Sequence, residues 1–417
     1  MRFMKRPSAA GLLSVIILFN LTAFGLASLH TRPIDVTAII MGILASALLL
    51  FQYFIITRFF RQADRYVLII ANILSGIGFI VQYRLNPAIA MKQMQWFGVG
   101  MVVMIFALVL VKNIKHWDKY IYMYMIFGLS LLVAALVFGK TIGGSKNWFS
   151  IAGYSFQPSE FVKILLLFIL AGNMGTKKRT RDLWPAALFT AAAIILLVLQ
   201  RDLGAALLYF CAFIILYYIA TSNILVTGMG LVLAALGMIA SYNLFDHVRI
   251  RVQIWQDPWS DIGSTGYQIA QSLMAIASGG LFGSGLYQGK PKTIPAYHTD
   301  FIFAVICEEL GILVGIAVIA FYVLFVIRGV LIALHANDRF HALLAIGCTS
   351  MITLQSFIII GGVIKMIPLT GITLPFISYG GSSMVVSMAM IGILEGIAVK
   401  NKRLPKATLR DHEEVEN

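Results

Sequence analysis

Apolar runs recur along the whole chain, and each is long enough to cross a bilayer. A helix rises 1.5 Å per residue, so about 20 apolar residues span the hydrocarbon core. Lipid offers no partner to a backbone N–H or C=O, so such runs must be helical. Twelve spans are expected, at 11–29, 36–58, 66–83, 94–112, 119–138, 158–173, 184–199, 203–220, 223–241, 300–327, 342–362 and 380–398. The fold class is therefore an all-α polytopic integral membrane protein. Composition agrees: 59% of the 417 residues are hydrophobic and 12% are charged, about half the charged share of a globular protein. The first run follows Arg2, Lys5 and Arg6, as in a signal peptide. It is long, lacks a clear small-x-small cleavage site and is followed at once by another span, so it reads as a retained helix.

The formal net charge of +14 raises the question of nucleic acid, but the placement of the charge excludes that partner. With the N-terminus in the cytoplasm, the segments on the inner side carry 20 of the 32 Lys and Arg residues. The outer segments carry 11, and Lys163 lies within a span. This is the positive-inside pattern, and it places both termini in the cytoplasm. The outer side holds the longest loop, about 242–299, which lies before the third-last span and contains His247, Trp255 and Trp259. Shorter outer loops cover 139–157 and 363–381. Long loops with their own chemistry usually carry function. Cys211, Cys307 and Cys348 all lie in apolar runs without metal spacing, as small buried residues do.

Four patches carry candidate chemistry. Gln157-Pro158-Ser159-Glu160 opens a span, with Lys163 three residues after Glu160 and so on the same helix face. The pair is either a local ion pair or the lining of a cavity. Trp255 and Trp259 flank Asp257-Pro258, with Gly266-Tyr267-Gln268 beyond, and read alone as an interfacial loop with aromatic anchors. The Gly279–Gly289 stretch runs to His298-Thr299-Asp300, followed by Glu308 and Glu309. Asp300 is either a helix cap or a functional carboxylate at a membrane boundary. The segment 367–383 interrupts an apolar stretch with Pro368, Pro375, Gly371, Gly380 and Gly381. It is either a plain loop or a re-entrant wall beside a polar cavity.

Taken together, His298-Thr299-Asp300-Phe301-Ile302-Phe303-Ala304 and Leu374-Pro375-Phe376-Ile377-Ser378-Tyr379-Gly380-Gly381-Ser382-Ser383 closely resemble motifs of the SEDS family of membrane proteins (shape, elongation, division and sporulation). The resemblance covers roughly 73–398. It implies a ten-helix core at 66–399, an N-terminal two-helix addition at 1–65 and a cytoplasmic tail at 400–417. It also implies polymerisation of peptidoglycan glycan strands from lipid II at the outer membrane face, beside a class B penicillin-binding protein. Asp300 matches the family's essential carboxylate, and Glu160 and Lys163 match its polar pair. Arg84 resembles the arginine after the first core helix, and Trp148 the tryptophan of the next outer loop. Ser378 and Ser382 come from the second motif and join the candidate cavity set. The chain departs from the family pattern at Arg201 within Gln200-Arg201-Asp202-Leu203-Gly204, at Ile359 and Lys365, and at Lys146-Asn147.

Such a reaction needs a base for the attacking sugar hydroxyl and cations for the pyrophosphate. Asp300 is the candidate general base. Arg84 and Lys163 are the favoured cations, with Arg249 and Lys292 as further candidates, drawn from the outer bases that also include Arg251. The isoprenoid tail would contact membrane lipid and an apolar groove. A magnesium or manganese ion bridging the pyrophosphate suits the chemistry, and no residue cluster has the spacing of a dedicated site. Two other function classes share these features: a lipid II flippase, and a scaffold that only recruits the penicillin-binding protein.

Overall fold

The structure is a computed structural model that describes residues 8–30, 32–114, 116–142, 144–151, 154–176 and 183–401. Several expected inner-face bases lie outside the described residues: Arg2, Lys5, Arg6, Lys115, Lys177, Lys178, Arg179, Arg181, Lys402, Arg403, Lys406 and Arg410. So does most of the tail, from 402 onward.

The apolar runs form helices at the expected places. They are α1 (Ala9–Ser28), α2 (Val36–Phe59), α3 (Arg65–Leu85), α4 (Pro87–Asn113), α5 (Ile121–Phe138), α6 (Pro158–Thr176), α7 (Trp184–Leu199), α8 (Leu203–Thr221) and α9 (Ile224–Leu244). After the long loop come α13 (Ile312–Leu334), α14 (Arg339–Val363) and α15 (Gly381–Asn401). Eleven of these are long and apolar enough to cross a membrane, and α7 is shorter at 16 residues. The chain is a multi-pass membrane protein. Short polar side chains start the helices: Asp35, Asp64, Asn86, Asp202, Asn223 and Asp338 each accept a hydrogen bond from a first-turn N–H. In hydrocarbon such an unpaired donor costs several kcal/mol, on the order of a lost hydrogen bond or more.

The centre of the bundle is α15, nearly every residue of which is buried. It runs against α4 at very short range. A Cβ built on Gly392 would lie 2.2 Å from the Met104 carbonyl oxygen, so only glycine permits this approach. Small residues at membrane helix interfaces allow the backbone contact that replaces a hydrophobic driving force. At the periphery, α9 buries only Thr227. The N-terminal helices α1 and α2 pack on each other and on α3.

The sequence expectation differs from the structure in three places. The span expected over 300–327 is two helices, α12 (Ile302–Leu310) and α13, broken at Gly311. Gly311 has φ of +91°, and a Cβ there would lie 2.4 Å from the Leu281 carbonyl oxygen. The loop at 139–157 is a three-stranded antiparallel meander, β1 (Lys140–Ile142), β2 (Ser145–Ile151) and β3 (Tyr154–Phe156). The loop at 242–299 holds two further helices, α10 (Asp246–Gln256) and α11 (Tyr267–Gly279).

Candidate active site

One end of the bundle is hollow. The meander, α10, the turn before α12 and the irregular 363–380 segment surround a cavity of about 610 Å³. Its polar lining includes Lys92, Glu160, Lys163, Asp202, Arg251 and Asp300. The 369–373 and 379–383 stretches form one wall. Non-helical backbone at this depth is tolerated because it faces a cavity and is braced by protein.

Asp300 sits in the turn before α12 and is half-buried. It is not the helix cap: α12 begins after Phe301, and no side chain caps it. The turn is fixed by the second motif. Ser378 Oγ donates to the Thr299 carbonyl at 2.6 Å and accepts from Leu374 N at 2.9 Å. Tyr379 N donates to the His298 carbonyl at 2.9 Å, and Gln82 Nε2 donates to the same oxygen at 2.9 Å. Burial pushes the Asp300 carboxyl up to about 6, with the Thr299 hydroxyl and the Arg251 charge pulling the other way.

Arg251 reaches the same place from α10. Its Nη1 donates to the Thr370 and Leu369 carbonyls at 3.2 and 3.4 Å. Trp255, one turn on, donates from Nε1 to the Lys365 carbonyl at 3.1 Å. These bonds dock α10 on the re-entrant wall. Both Asp300 and Arg251 approach Gly371: a Cβ built there would lie 3.6 Å from Asp300 Oδ2 and 4.0 Å from Arg251 Nη2. Burial lowers the Arg251 guanidinium from its usual value, and the Asp300 carboxylate opposes that shift.

A second polar cluster lies where α6, α8 and α14 meet. Lys163 Nζ donates to Glu160 Oε1 at 2.7 Å and to Gln355 Oε1 at 2.9 Å. Gln355 Nε2 in turn donates to the Thr373 carbonyl at 2.9 Å. Glu160 Oε2 accepts no hydrogen bond from the described residues. Asp202 Oδ2 accepts from Gln157 Nε2 at 2.7 Å, Asn147 Nδ2 at 2.8 Å and Ser159 Oγ at 3.3 Å. Burial holds the Asp202 carboxyl above the usual range.

Of the residues singled out in the sequence, Asp300, Glu160, Lys163, Trp148 and Ser382 line the cavity. Ser378 lies behind its wall, where it joins the two motifs. Arg84 lies elsewhere. Its Nε donates to Glu309 Oε1 at 2.9 Å and its Nη2 to the Gly289 carbonyl at 3.2 Å. Lys292 is exposed in a short turn, Pro291–Thr293. Arg249 is half-buried on α10 and faces Asp246 at 3.7 Å. Sequence reasoning missed Lys92, Asp202 and, as a chosen cation, Arg251. The alternation Arg249-Ile250-Arg251 offered no signal until α10 was known to be helical, which turns Arg249 and Arg251 to different sides. Among the described residues no group of three or more His, Cys, Asp or Glu is placed to ligate an ion.

The sequence model of the FtsW/RodA/SpoVE cell cycle protein family matches residues 55–403. The chain is 36% identical over 373 residues to the peptidoglycan glycosyltransferase RodA of Mycobacterium tuberculosis, covering 82% of this chain and 79% of that one. It is 32% identical over 362 residues to the stage V sporulation protein E of Bacillus subtilis, covering 80% and 96%. Among solved structures, a chain from a peptidoglycan synthase complex that coordinates polymerization and crosslinking superposes with a TM-score of 0.71 at 27% identity, covering 82% of this chain and 99% of that one. The Thermus thermophilus rod shape determining protein RodA superposes with a TM-score of 0.61 at 26% identity, covering 82% and 98%. This chain is a member of the FtsW/RodA/SpoVE family of cell cycle proteins, the SEDS family.

Proposed function

We propose that the chain is a peptidoglycan glycosyltransferase that polymerises glycan strands from lipid II, with Asp300 as general base. The observation that carries this reading is a carboxylate raised to about 6 on the wall of a polar cavity that Arg251 also lines. A base that titrates near neutrality is ionised at working pH and still holds a proton well. The acceptor hydroxyl attacks the anomeric carbon of the donor from the face opposite the pyrophosphate. Its proton passes to the Asp300 carboxylate as the new C–O bond forms. The bond to the pyrophosphate oxygen breaks, and the lipid pyrophosphate leaves with the electron pair. One displacement inverts an α-linked donor into a β-linked strand.

Arg251 and Lys92 supply positive charge for the departing pyrophosphate, since Arg84 is committed to Glu309. Arg251 offers a fork for a phosphate and Lys92 a point charge. Lys163 is held between Glu160 and Gln355 and shapes the cavity floor. Trp148 and Ser382 line the path of the saccharide. A divalent ion that arrives with the pyrophosphate would add charge neutralisation there.

In the membrane the cavity end faces outward. The opposite bundle end carries Arg58, Arg61, Arg65, Lys112, Arg328, Arg339 and Lys400, which agrees with the positive-inside rule and with both termini in the cytoplasm. A class B penicillin-binding protein crosslinks the product strands, in line with the related complex that couples polymerization to crosslinking. The test is strand synthesis from labelled lipid II by the purified protein, with and without a class B partner. Polymer supports the reading. Transfer of intact lipid II across a vesicle without polymer contradicts it.

A further inference from the structure

The helices α1 and α2 precede most of the family match, which begins at residue 55. The connection between them nonetheless touches a loop inside the matched region. His30 stacks on Tyr287, with ring centroids 4.3 Å apart and planes 20° apart. Arg84 lies over the Tyr287 ring at 4.6 Å. Asp35 both starts α2 and accepts a hydrogen bond from Tyr83 at 2.6 Å, next to Arg84 in sequence.

Tyr287 belongs to the glycine-rich loop that ends at Gly289, and that loop is tied to α12. Ser284 N donates to the Glu308 carbonyl at 2.9 Å and Gly285 N to the Glu309 carbonyl at 3.0 Å. Lys290 N donates to Glu308 Oε1 at 2.8 Å. Gly283 has φ of +83°, and a Cβ there would lie 2.3 Å from the Glu309 carbonyl oxygen. These bonds hold the loop against the C-terminal end of α12, and Asp300 is in the turn that leads into α12.

We propose that the α1–α2 connection is a built-in clamp, with His30 and Asp35 as positioning residues that hold the 283–289 loop and, through α12, the carboxylate of Asp300. The effect on turnover rests on the polymerase reading above, whereas the mechanical clamp does not. None of the described residues of the connection lines the cavity, so the clamp acts by restricting motion of the turn. Loops without such anchors open at low free-energy cost. An aromatic stack and a hydrogen bond to a carboxylate are each strong enough to shift that opening by several-fold.

The test compares the full chain with His30→Ala, Tyr83→Phe and the double variant, reconstituted in nanodiscs. Amide hydrogen exchange is read over 279–301, and strand synthesis from lipid II is measured alongside. The double variant is expected to exchange on the order of tenfold faster across 279–301, with α13 to α15 unchanged. Turnover is expected to fall roughly three- to tenfold with the lipid II KM unchanged, because the base is misplaced in a fraction of molecules. Unchanged exchange in the double variant overturns the clamp. Faster exchange with unaltered turnover overturns the positioning role. Faster exchange in a protein whose wild-type form makes no polymer supports the clamp and removes the polymerase reading instead.

Discussion

Asp300 and Arg251 meet at Gly371, where a single added methyl group would stand 3.6 Å from the carboxylate and 4.0 Å from the guanidinium. Gly371 has φ of +75°, which costs an L-residue about 1–2 kcal/mol. Gly371→Ala should therefore strain the wall and fill the space between the two groups. Strand synthesis should drop roughly tenfold or more, while detergent-solubilised protein keeps its helical content by circular dichroism.

The pH dependence has a defined sign. Asp300 accepts a proton only when ionised, and its carboxyl titrates at about 6. The polymerisation kcat/KM should thus fall roughly tenfold per unit as pH drops below that value. Arg251 pulls the carboxyl down, so Arg251→Gln should move the acidic limb to higher pH. The same substitution should lower turnover at the plateau by about 10²-fold, through loss of charge stabilisation at the leaving group. A pH profile of both proteins checks the two effects separately.

Much of this arrangement was legible in the sequence, and what was not has physical causes. The apolar runs fixed the membrane helices because lipid leaves the backbone no alternative. The break at Gly311 was hidden, since the run from Phe301 to Ile327 is almost continuously apolar and a glycine in it does not by itself end a helix. The meander was hidden because 140–156 is short, and among the described residues its strands pair with each other rather than with a larger sheet. Asp300 stood out by charge and position. Arg251 did not, because its orientation depends on α10 docking to the carbonyls of Leu369 and Thr370, over a hundred positions away. Arg84 looked like a cavity cation, and its partner Glu309 is remote in sequence.

Glu160 and Lys163 form a buried pair at 2.7 Å. Lys163→Met leaves a carboxylate without its counter-charge and should cost about 3–5 kcal/mol. The double variant Glu160→Gln/Lys163→Met should recover most of that loss, as read by thermal unfolding in detergent. Glu160→Gln alone should weaken strand synthesis without abolishing it, because Gln can still accept from Lys163.

Ser378 joins the two halves of the site. Ser378→Ala removes the bonds to the Thr299 carbonyl and Leu374 N, and leaving such groups unpaired costs about 1–3 kcal/mol. Thermal stability and turnover should both fall. Ser378→Thr keeps the hydroxyl and should restore at least part of each.

The most direct measurement is strand synthesis by Asp300→Asn, purified and supplied with labelled lipid II. Asparagine keeps the size and hydrogen-bonding shape of the side chain but cannot take the proton. The account predicts an intact fold with turnover reduced by roughly 10²–10⁴-fold. Near wild-type polymer from that variant would contradict it.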